Sequence, residues 1–336
     1  ALNRDTTVLL VRQTSPHSYL DAMAASGIRG LRVGHETGVP ITLNDQDPLA
    51  TDLITHNVKA LNIDARVTCR DANSLMSEEK FGFVDLDPFG TPAPFIDAAI
   101  RSSGKYLGVT ATDTAPLCGA HLKAGMRRYM ARPLNTDYHT EVGLRILLGN
   151  VVRHAAVYDK GVIPLFCYAH EHFVRLHLQL KSSASFADQS IAQLGYIYQC
   201  PKCPYRKEER RFFPGVYTCP LCGAGLIPAG PLWIGSVSDP AIISWMIRES
   251  ATTEMGDPAA LSKLLDFCMD EPGISFSYDY HKLGKFYRLS PGPVESVINC
   301  LRDMGYIAGR VHYSGYGIKT DAPLEDIRTC LDVSKK

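Results

Sequence analysis

The chain has 336 residues, of which 45% are hydrophobic and 21% are charged, as is ordinary for a folded protein of two or three domains. Its 35 lysines and arginines balance 35 aspartates and glutamates, which excludes a strongly basic or acidic protein, so any nucleic-acid contact must come from local clusters. No apolar run reaches the roughly 18 residues of a membrane span, and the opening "ALNRDTT" lacks the apolar centre of a signal peptide. We therefore expect a cytoplasmic protein without membrane contact, with a monomer as the default state.

Strand and helix signals alternate along the first half of the chain. Segments with helical spacing lie at 25–37, 47–62 and 91–103. Such a repeated β-α unit predicts a mostly parallel sheet covered by helices on both faces, with right-handed crossovers. The apolar runs that can form its strands lie at 19–23, at 41–45, around Cys69, at 81–86 and at 106–113.

A different pattern follows the repeated units. Apolar residues at helical spacing fill 139–161, and two strand-like runs, 162–170 and 172–181, meet at His170 and Glu171. So short a connection allows an antiparallel hairpin and no crossover. A parallel α/β sheet completed by an antiparallel strand resembles the class I, Rossmann-like, seven-stranded fold that most methyltransferases using S-adenosylmethionine share.

The composition changes beyond residue 181. Residues 182–195 are polar and able to form a helix, residues 196–228 look like an inserted module, and helical signals follow at 239–254, 258–271 and 291–305. Strand-like runs at 306–313 and 317–321 surround a glycine-rich turn. Helices followed by a two-stranded wing resemble a winged helix, although a plain α/β accessory domain explains the pattern equally well. We predict three domains, over 1–195, 196–228 and 229–336.

Four of the ten cysteines form two closely spaced pairs. Cys200 with Cys203, and Cys219 with Cys222, can close a tetrahedron around zinc that leaves no position open for catalysis. Redox dithiols are the competing interpretation, but two such pairs separated by a basic segment favour a structural, zinc-ribbon-like site. The other six cysteines are scattered singly, so we expect reduced thiols and no disulfide bonds.

The segment that carries the two cysteine pairs is rich in basic and aromatic residues. Such side chains together suit phosphate contact and base stacking, and a solvated charged loop is the alternative. A smaller basic cluster at Arg127, Arg128 and Arg132 has the same two interpretations. The residues of the first group are Lys202, Tyr205, Arg206, Lys207, Arg210, Arg211, Phe212 and Phe213.

Acidic residues lie on or directly after three successive predicted strands. The first unit, "YLDAMAASGIRG", carries Asp21 and turns through small residues that let the backbone approach a ligand. Asp45 ends the second strand, where it can accept hydrogen bonds from both ribose hydroxyls of an adenosyl ligand. Asp71 follows the third strand, where it can accept from the adenine amino group while the Ala72 N–H addresses the ring. Acids in these places disfavour a pyrophosphate ligand and tolerate a cationic sulfonium.

The stretch "FVDLDPFGTP" (83–92) places Asp87 at a strand's carboxyl end, because Pro88 and Gly90 prevent its continuation. An aspartate-capped turn is the simpler interpretation. The stretch also resembles the acid/amide-Pro-aromatic-aromatic motif of methyltransferases that modify exocyclic amino groups of bases. In that role Asp87 and the Pro88 carbonyl accept the N–H groups of the amine and aim its lone pair at the methyl group. Phe89 stacks on the flipped base.

Motifs spread over nearly the whole chain are together similar to the archaeal and eukaryal-type tRNA guanine-26 N2-dimethyltransferases. They are "ALNRD", "ASGIRG", "LND", "DLDPFGTP", "TATDTAPLCG", "RRYMARPL", "HTEVGLRIL", "GPLWIG" and "GIKTDAP". The resemblance implies two successive methyl transfers from S-adenosylmethionine to N2 of guanine 26 in tRNA, with the C-terminal domain binding tRNA. The family carries an aromatic-bearing segment ahead of its "LNRD" motif, so the cover of the cofactor or substrate is expected to be incomplete here.

The resemblance also implies site residues, among which Arg4 is expected to meet the methionine carboxylate of the cofactor. An adenine-N6 methyltransferase is one alternative, since it would share the cofactor site and a similar motif. A noncatalytic tRNA-binding protein on a decayed methyltransferase scaffold is the other, although the intact acids argue against decay. The implied cofactor-binding residues are Arg4, Arg29, Asp45, Asp71 and Ala72, and the implied catalytic residues are Asp87, Pro88 and Phe89.

Two further features have structural interpretations. His139 and Glu141, near a predicted helix start, are interpreted as a cap and a structural pair rather than an acid/base couple. Cys118 is interpreted as a small buried residue, because transfer to an amine needs no covalent enzyme intermediate.

Overall fold

The computed structural model describes residues 1–333, which form one sheet of seven strands and two sheets of three. No helix in this range combines the length and apolarity that crossing a membrane requires. The strands are β1 (Tyr19–Asp21), β2 (Ile41–Asp45), β3 (Ala65–Cys69), β4 (Phe81–Leu86), β5 (Ser103–Ala111), β6 (Lys160–His170), β7 (Phe173–Ser182), β8 (Leu194–Gln199), β9 (Arg206–Arg210), β10 (Ile227–Trp233), β11 (Tyr278–Asp279), β12 (Ala308–Val311) and β13 (Ser314–Thr320). The α-helices are α1 (Leu2–Thr14), α2 (Ile28–Thr37), α3 (Pro48–Leu61), α4 (Ala72–Glu78), α5 (Ile96–Ser102), α6 (Thr114–Leu117), α7 (Leu122–Tyr129), α8 (His139–Ala156), α9 (Ala184–Ile191), α10 (Pro240–Ser250), α11 (Pro258–Asp270), α12 (Tyr280–Tyr287), α13 (Val294–Asp303) and α14 (Leu324–Val333).

The seven-stranded sheet has the order β3-β2-β1-β4-β5-β7-β6. Strands β1 to β5 run parallel, and β7 lies antiparallel between β5 and β6. The predicted parallel sheet with an antiparallel strand is therefore confirmed, and so is the hairpin, whose turn falls at Glu171 and His172. Because β1 is central and its neighbours β2 and β4 run parallel to it, the carboxyl ends of these three strands lie together at one edge.

Helices cover both faces of this sheet. On one face, Leu20 and Val84 of the sheet pack with Val151 of α8. On the other, Tyr19 and Phe83 pack with helices that include α1, α2, α10 and α11. Alternate residues of β1 and β4 thus enter different cores, which explains why all six positions of β4 are buried.

Six of the helices in residues 1–333 were not predicted from the sequence: α1, α4, α6, α7, α12 and α14. Helix α1 contains an uninterrupted buried run from Asp5 to Val11, which shows no helical periodicity. Tertiary packing rather than local preference holds it in place. Helix α8 also ends five residues before the predicted limit of Gly161, because β6 begins at Lys160.

The second sheet has the order β10-β8-β9 and packs on the first domain through α8. A Cβ placed on Gly149 of α8 would lie 3.1 Å from the Leu232 Cα of β10, so a larger residue there would require the strand to shift by a few tenths of an ångström. Ile197 of β8 and Leu232 belong to the main core. The cysteine-bearing segment is therefore flanked by strands that pack in the core of the large domain. The predicted domain limits stay a prediction.

The C-terminal sheet has the order β11-β13-β12 and its own core with α12, α13 and α14. A helix, a short strand, two helices and a two-stranded wing follow one another from α11 to β13, which is a winged-helix-like order. Cys300 and Cys330 form a disulfide bond between α13 and α14, so the expectation of no disulfide bonds was wrong. Their separation of 30 residues has no motif that sequence inspection could recognise.

A buried cluster of charges joins the C-terminal sheet to α8. Glu141 of α8 pairs at 2.9 Å with both Arg145, one turn later, and Lys319 of β13. Lys319 also pairs with Glu271, which in turn contacts His312. Burial alone would raise the pKa of Glu141, but Lys319 and Arg145 lower it to about 2. The interpretation of Glu141 as a structural partner is confirmed.

The structural interpretations of His139 and Cys118 differ in how well they agree with the structure. Helix α8 begins after Tyr138 without a side-chain cap, and the His139 ring instead contacts the Thr136 carbonyl, so the expected histidine cap was wrong. Cys118 is 9% exposed, which confirms the interpretation as a small buried residue, and its burial raises the pKa of the thiol to about 12, which disfavours the thiolate.

Candidate active site

A cavity of about 550 Å³ opens at the edge where the carboxyl ends of β1, β2 and β4 meet. Among residues 1–333 it brings together five of the predicted site residues, while Arg4, Arg29 and Asp71 lie outside its lining. A volume of this size suits a nucleoside-sized ligand. The lining residues are Ala22, Met23, Ala25, Asp45, Gln46, Ala72, Asp87, Pro88, Phe89, Phe95 and Thr112.

Asp45 is fixed by the backbone of the neighbouring turn. One carboxylate oxygen accepts the Ala25 N–H at 2.9 Å, and the other accepts the Asp47 N–H at 3.0 Å. Ala25 has a φ of 50°, a left-handed conformation that is costly for a residue with a Cβ. The turn after β1 is therefore held in a strained shape that points Asp45 at the cavity, with lone pairs left for a ligand.

Asp71 has a structural role that sequence reasoning did not assign to it. It is the N-cap of α4, where one carboxylate oxygen accepts the Ser74 N–H at 2.9 Å and the Ser74 hydroxyl at 3.2 Å. Its second oxygen is the one left to face a ligand. Ala72, the first residue of α4, lies in the cavity wall, where its N–H is outside the helix's own hydrogen bonding.

Asp87 lies directly after β4, and its carboxylate is anchored on one side by Arg29 of α2. The side chain of Asp87 is 27% exposed, whereas that of Arg29 is 7% exposed. Arg29 also donates to the Thr7 hydroxyl at 2.9 Å and to the Asn3 side-chain oxygen at 3.1 Å. One Asp87 oxygen is thus held by Arg29, and the other is available to a ligand in the cavity.

Beside Asp87, the aromatic ring predicted to stack on a base is open to solvent. Phe89 is fully exposed and belongs to the wall of the same cavity. Gly90 follows with a φ of 95°, which reverses the chain, and its N–H bonds the Thr112 hydroxyl at 2.8 Å. An uncovered aromatic ring on an ordered turn next to a carboxylate is suited to a planar ligand.

A buried ion pair that sequence reasoning missed supports this arrangement. Asp85 of β4 and Arg175 of β7 are both completely buried and joined by two contacts, of 2.6 and 2.7 Å. Tyr19 donates its hydroxyl to Asp85 at 2.8 Å, and Arg175 also donates to Thr7, the residue that holds Arg29. Burial alone would raise the pKa of Asp85, but Arg175 and Arg29 hold it well below its usual range.

The space for this pair is provided by a glycine. Gly108 of β5 lies beside Asp85 in the sheet, and a Cβ there would come within 2.7 Å of an Arg175 nitrogen. The signal in the sequence was slight: Asp85 and Asp87 are two residues apart, the spacing that places side chains on one side of an extended chain. Nothing in the sequence indicated that the partner would be 90 residues away.

The family model described as "TRM: N2,N2-dimethylguanosine tRNA methyltransferase" matches residues 1–332. The chain belongs to this family.

Individual relatives are similar over almost the full chain. The curated tRNA (guanine(26)-N(2))-dimethyltransferase of Methanospirillum hungatei is 80% identical over 331 residues, which are 98% of this chain and 90% of that protein. The protein of the same name from Methanoculleus marisnigri is 57% identical over 323 residues, 96% of this chain and 87% of its own. A solved complex of Trm1 from Pyrococcus horikoshii with S-adenosyl-L-methionine is 38% identical, with a TM-score of 0.91, and the match covers 98% of this chain and 92% of that one. The predicted methyltransferase fold and family are confirmed.

In this member of the family the site contains one more acid than the cations can balance. Asp21, Asp85 and Asp87 surround Arg29, and Arg175 is the second cation. Asp21 is 2% exposed and accepts the Gly30 N–H at 3.1 Å. Burial raises the pKa of Asp21 to about 7. Arg29 acts to lower this pKa, whereas the negative charges of Asp85 and Asp87 act to raise it.

We expect Asp21→Asn to stabilise the protein at about pH 8 and to have little effect near pH 4. The folded wild type keeps the Asp21 proton up to about pH 7, whereas the unfolded chain releases it near pH 4, so wild-type stability falls across that window. Asparagine does not titrate, and the difference should grow to at most about 4 kcal/mol. Urea unfolding at several pH values measures it, with exposed Asp64→Asn as the control. A pH-independent difference would contradict the burial of a protonated Asp21.

The four predicted zinc ligands converge in the structure. Their sulfur atoms all lie within 4.8 Å of one another, with Cys200 Sγ 3.4 Å from Cys222 Sγ and Cys203 Sγ 3.5 Å from Cys219 Sγ. Zinc bound to four thiolates at roughly 2.3 Å would separate the sulfurs by about 3.8 Å. The donor set and its spacing fit a closed tetrahedral site.

The basic segment between the cysteines is a strand, β9, and its first arginine faces inward. Arg206 donates to the carbonyls of Phe276 and Ser277 and lies 3.5 Å from the centre of the Tyr278 ring. The interpretation of Arg206 as a phosphate contact or a solvated charge was wrong, because its guanidinium fastens this module to the C-terminal domain. Arg211 is partly neutralised by Glu209 at 3.2 Å.

Proposed function

We propose that this chain transfers methyl groups from S-adenosylmethionine to N2 of guanine 26 in tRNA, giving first the mono- and then the dimethylated base. The family supports this reaction, and so do the tRNA (guanine(26)-N(2))-dimethyltransferases that match nearly the whole chain. The observation that carries it in the structure is that Asp87 and the uncovered Phe89 share one cavity with Asp45 and Ala72. We place the protein in the cytoplasm, where it would meet tRNA as a monomer.

The cavity fits the adenosyl part of the cofactor. Asp45 would accept from the ribose hydroxyls, because Ala25 and Asp47 already fix both of its oxygens in place. The Ala72 N–H and the second oxygen of Asp71 would address the adenine ring, between the apolar side chains that line the wall. These contacts match the acceptors and donors that the ligand presents.

The methionine part of the cofactor needs a cation for its carboxylate. Arg4 lies at the start of α1, is partly exposed, and has no side-chain hydrogen bond or ion pair within residues 1–333. Arg29 is bound by Asn3, Thr7 and Asp87, so its first role is to hold Asp87. We therefore assign the carboxylate contact to Arg4 first, with Arg29 as a second donor.

Asp87 is proposed to prepare the amine for attack. When bound, the cofactor supplies an electrophilic methyl group on its sulfonium. The free oxygen of Asp87 accepts one N–H of the guanine amine, and the Pro88 carbonyl accepts the other, which directs the lone pair away from the ring. Phe89 stacks on the flipped base and fixes its plane. As the nitrogen gains a methyl group it loses a proton, which Asp87 can receive and pass to solvent through its exposed side.

Product analysis tests this function against both alternatives. Unmodified tRNA is incubated with labelled S-adenosylmethionine and then digested to nucleosides. The proposal predicts N2-methyl- and N2,N2-dimethylguanosine. N6-methyladenosine would instead support the adenine-specific alternative, and no labelled nucleoside together with tRNA binding would support a noncatalytic protein.

Asp45→Ala should weaken cofactor binding. Loss of the ribose acceptor should cost about 1 to 3 kcal/mol of binding free energy, or roughly 5- to 150-fold in affinity. Asp45→Asn keeps one oxygen for the Ala25 N–H, so its loss should be smaller. Isothermal titration calorimetry with S-adenosylmethionine measures both, and exposed Asp52→Ala on α3 is the control. An affinity equal to that of the wild type would place the cofactor elsewhere.

We also propose that the four cysteines hold a structural zinc ion. The site has four thiolates and no open position, so it would fold the segment between β8 and β10 without entering the reaction. Its position against the C-terminal domain, through Arg206, suits a role in docking tRNA. Neither role changes the chemistry assigned to Asp87.

Cys200→Ser with Cys203→Ser should remove the metal and the order of residues 200–226 while leaving the large domain folded. The flanking strands stay because Ile197 and Leu232 are packed in the main core. Metal analysis, followed by hydrogen exchange on that segment, measures the effect, and exposed Cys69→Ser is the matched control. The Michaelis constant for tRNA should rise with cofactor affinity unchanged. Absence of zinc from the purified wild type would refute the metal assignment.

A further inference from the structure

Helix α7 carries an apolar stripe that faces solvent. Leu122 and Met126 are one turn apart on this helix, and Met130 follows directly after its last residue, Tyr129. Leu122, Met126 and Met130 are 39%, 48% and 73% exposed. Gly125 and Tyr129, which lie beside these residues on the helix, are buried, so the stripe runs along the solvent edge of the packed face of the helix.

This stripe forms one wall of a groove of about 480 Å³. The opposite wall belongs to the module that carries the cysteines, through Tyr196 and Pro214. Next to it Phe212 and Phe213 are 70% and 71% exposed, and the Tyr196 hydroxyl bonds the Phe212 carbonyl at 3.4 Å. Met126 and Met130 thus line the groove, and two exposed aromatic rings lie on the chain directly before Pro214.

The unpaired charges next to the groove are positive, because the nearby acids are bound by neighbouring side chains or point away. Asp113 is bound by Arg128 at 3.0 Å and by the Tyr129 hydroxyl, and Glu209 by Arg211. Glu208 is unpaired among the described residues, but it alternates with Glu209 on β9 and so points away from Tyr196. Lys123, Arg127 and Arg132 are exposed and have no side-chain partner in residues 1–333.

The groove is connected to the catalytic turn by hydrogen bonds. The Tyr129 hydroxyl contacts the Thr91 hydroxyl at 2.9 Å, and Thr91 follows Gly90 in the segment that begins at Asp87. The Tyr129 carbonyl accepts from Arg153 at 2.6 Å and from Asn150 at 3.2 Å, both on α8. Helix α7 is therefore rigidly placed relative to Asp87.

We infer that the groove between α7 and the cysteine module binds the tRNA strand next to the methylated guanine; this inference rests on the proposed function. Lys123, Arg127 and Arg132 would contact phosphates, and the methionines with Phe212 would contact bases or riboses that the flipped nucleotide leaves unstacked. The chain as a whole has a net charge of zero, so this local excess is what an anionic strand would recognise.

A second copy of the chain is the other occupant that an apolar stripe can suggest. A two-fold contact through this face would bring the cationic row of one copy against that of the other. Like charges placed opposite each other at a contact are unfavourable. The charge distribution favours a polyanion over self-association.

The test replaces the three free cations together, as Lys123→Gln, Arg127→Gln and Arg132→Gln in the full chain. The slope of log affinity for tRNA against log salt should fall by about two to three, and the Michaelis constant for tRNA should rise about tenfold or more. Met126→Ala with Met130→Ala should weaken tRNA binding about threefold or more while leaving the salt slope unchanged. Cofactor affinity should stay at its wild-type value in both variants.

The matched control replaces three exposed cations elsewhere, Lys59→Gln, Arg248→Gln and Lys263→Gln, and should leave the salt slope and tRNA affinity near wild type. An unchanged affinity and slope in the α7 triple variant, while the wild type forms methylated guanosine, would overturn the inference alone. A wild type that forms no methylated guanosine would instead defeat the proposed function. A wild-type dimer in sedimentation analysis that the methionine variant dissociates would assign the groove to a second copy.

Discussion

Asp87→Asn should bind S-adenosylmethionine about as tightly as the wild type and yet lose methyl transfer by roughly 10²- to 10⁴-fold. Asparagine keeps an oxygen for Arg29, so the buried guanidinium retains its partner. It cannot, however, receive the proton that the guanine amine must release, and it holds the N–H less strongly than a carboxylate does. Single-turnover rates at saturating tRNA and cofactor measure the loss, and calorimetry measures the affinity.

The matched control for this prediction is Asp113→Asn, which changes an acid near the same turn that binds Arg128 and Tyr129 and does not line the cavity. Its single-turnover rate should remain within about tenfold of the wild type, well above that of Asp87→Asn. A transfer rate for Asp87→Asn within the same range would remove Asp87 from the mechanism.

Arg175→Met should destabilise the fold by about 3 to 5 kcal/mol, because it leaves Asp85 buried without its main cation. Both side chains are completely buried, so solvent does not screen the loss. The low pKa of Asp85 means that its stabilising contribution is complete above about pH 4 and would disappear only as the pH falls toward that low value. Unfolding in urea at about pH 7 measures the change.

The double variant Arg175→Met, Asp85→Leu separates a stranded charge from a simple loss of packing. With both charges removed, much of the stability should return, because a buried ion pair and an apolar pair of similar size are often close in free energy. If the double variant is less stable than Arg175→Met alone, the cost lies in the hydrogen bonds to Tyr19 and Thr7 and not in the unpaired carboxylate.

Local sequence signals predicted the parts of the site that belong to strand ends. Asp45, Ala72 and Asp87 line one cavity because each lies at or just after the end of a parallel strand, and such ends meet at one edge. The sequence predicted a mostly parallel sheet with an antiparallel strand but not the order of its strands, because strand pairing is set by contacts between distant segments. The cysteine cluster was predictable for a similar reason: its spacing is itself the geometric signal.

Roles that depend on distant partners could not be predicted. Arg29 was assigned to the cofactor by resemblance, but its contacts come from two distant segments, Asn3 and Thr7 on α1 and Asp87 after β4. Arg206 looked like any other exposed basic residue until the C-terminal domain supplied two carbonyls and a ring for its guanidinium. The sequence shows which charged residues exist, but it does not show which of them are paired inside the folded protein.

Methylation of two tRNA transcripts that differ at one group tests whether N2 of guanine 26 is the methyl acceptor. One carries guanine at position 26, and the other carries inosine, which lacks only the exocyclic amine that Asp87 is proposed to address. Labelled methyl incorporation should approach two per guanine-containing tRNA and should be absent from the inosine-containing tRNA. Equal incorporation into both transcripts would contradict the account, because the methyl group would then be going to an atom other than N2 of guanine 26.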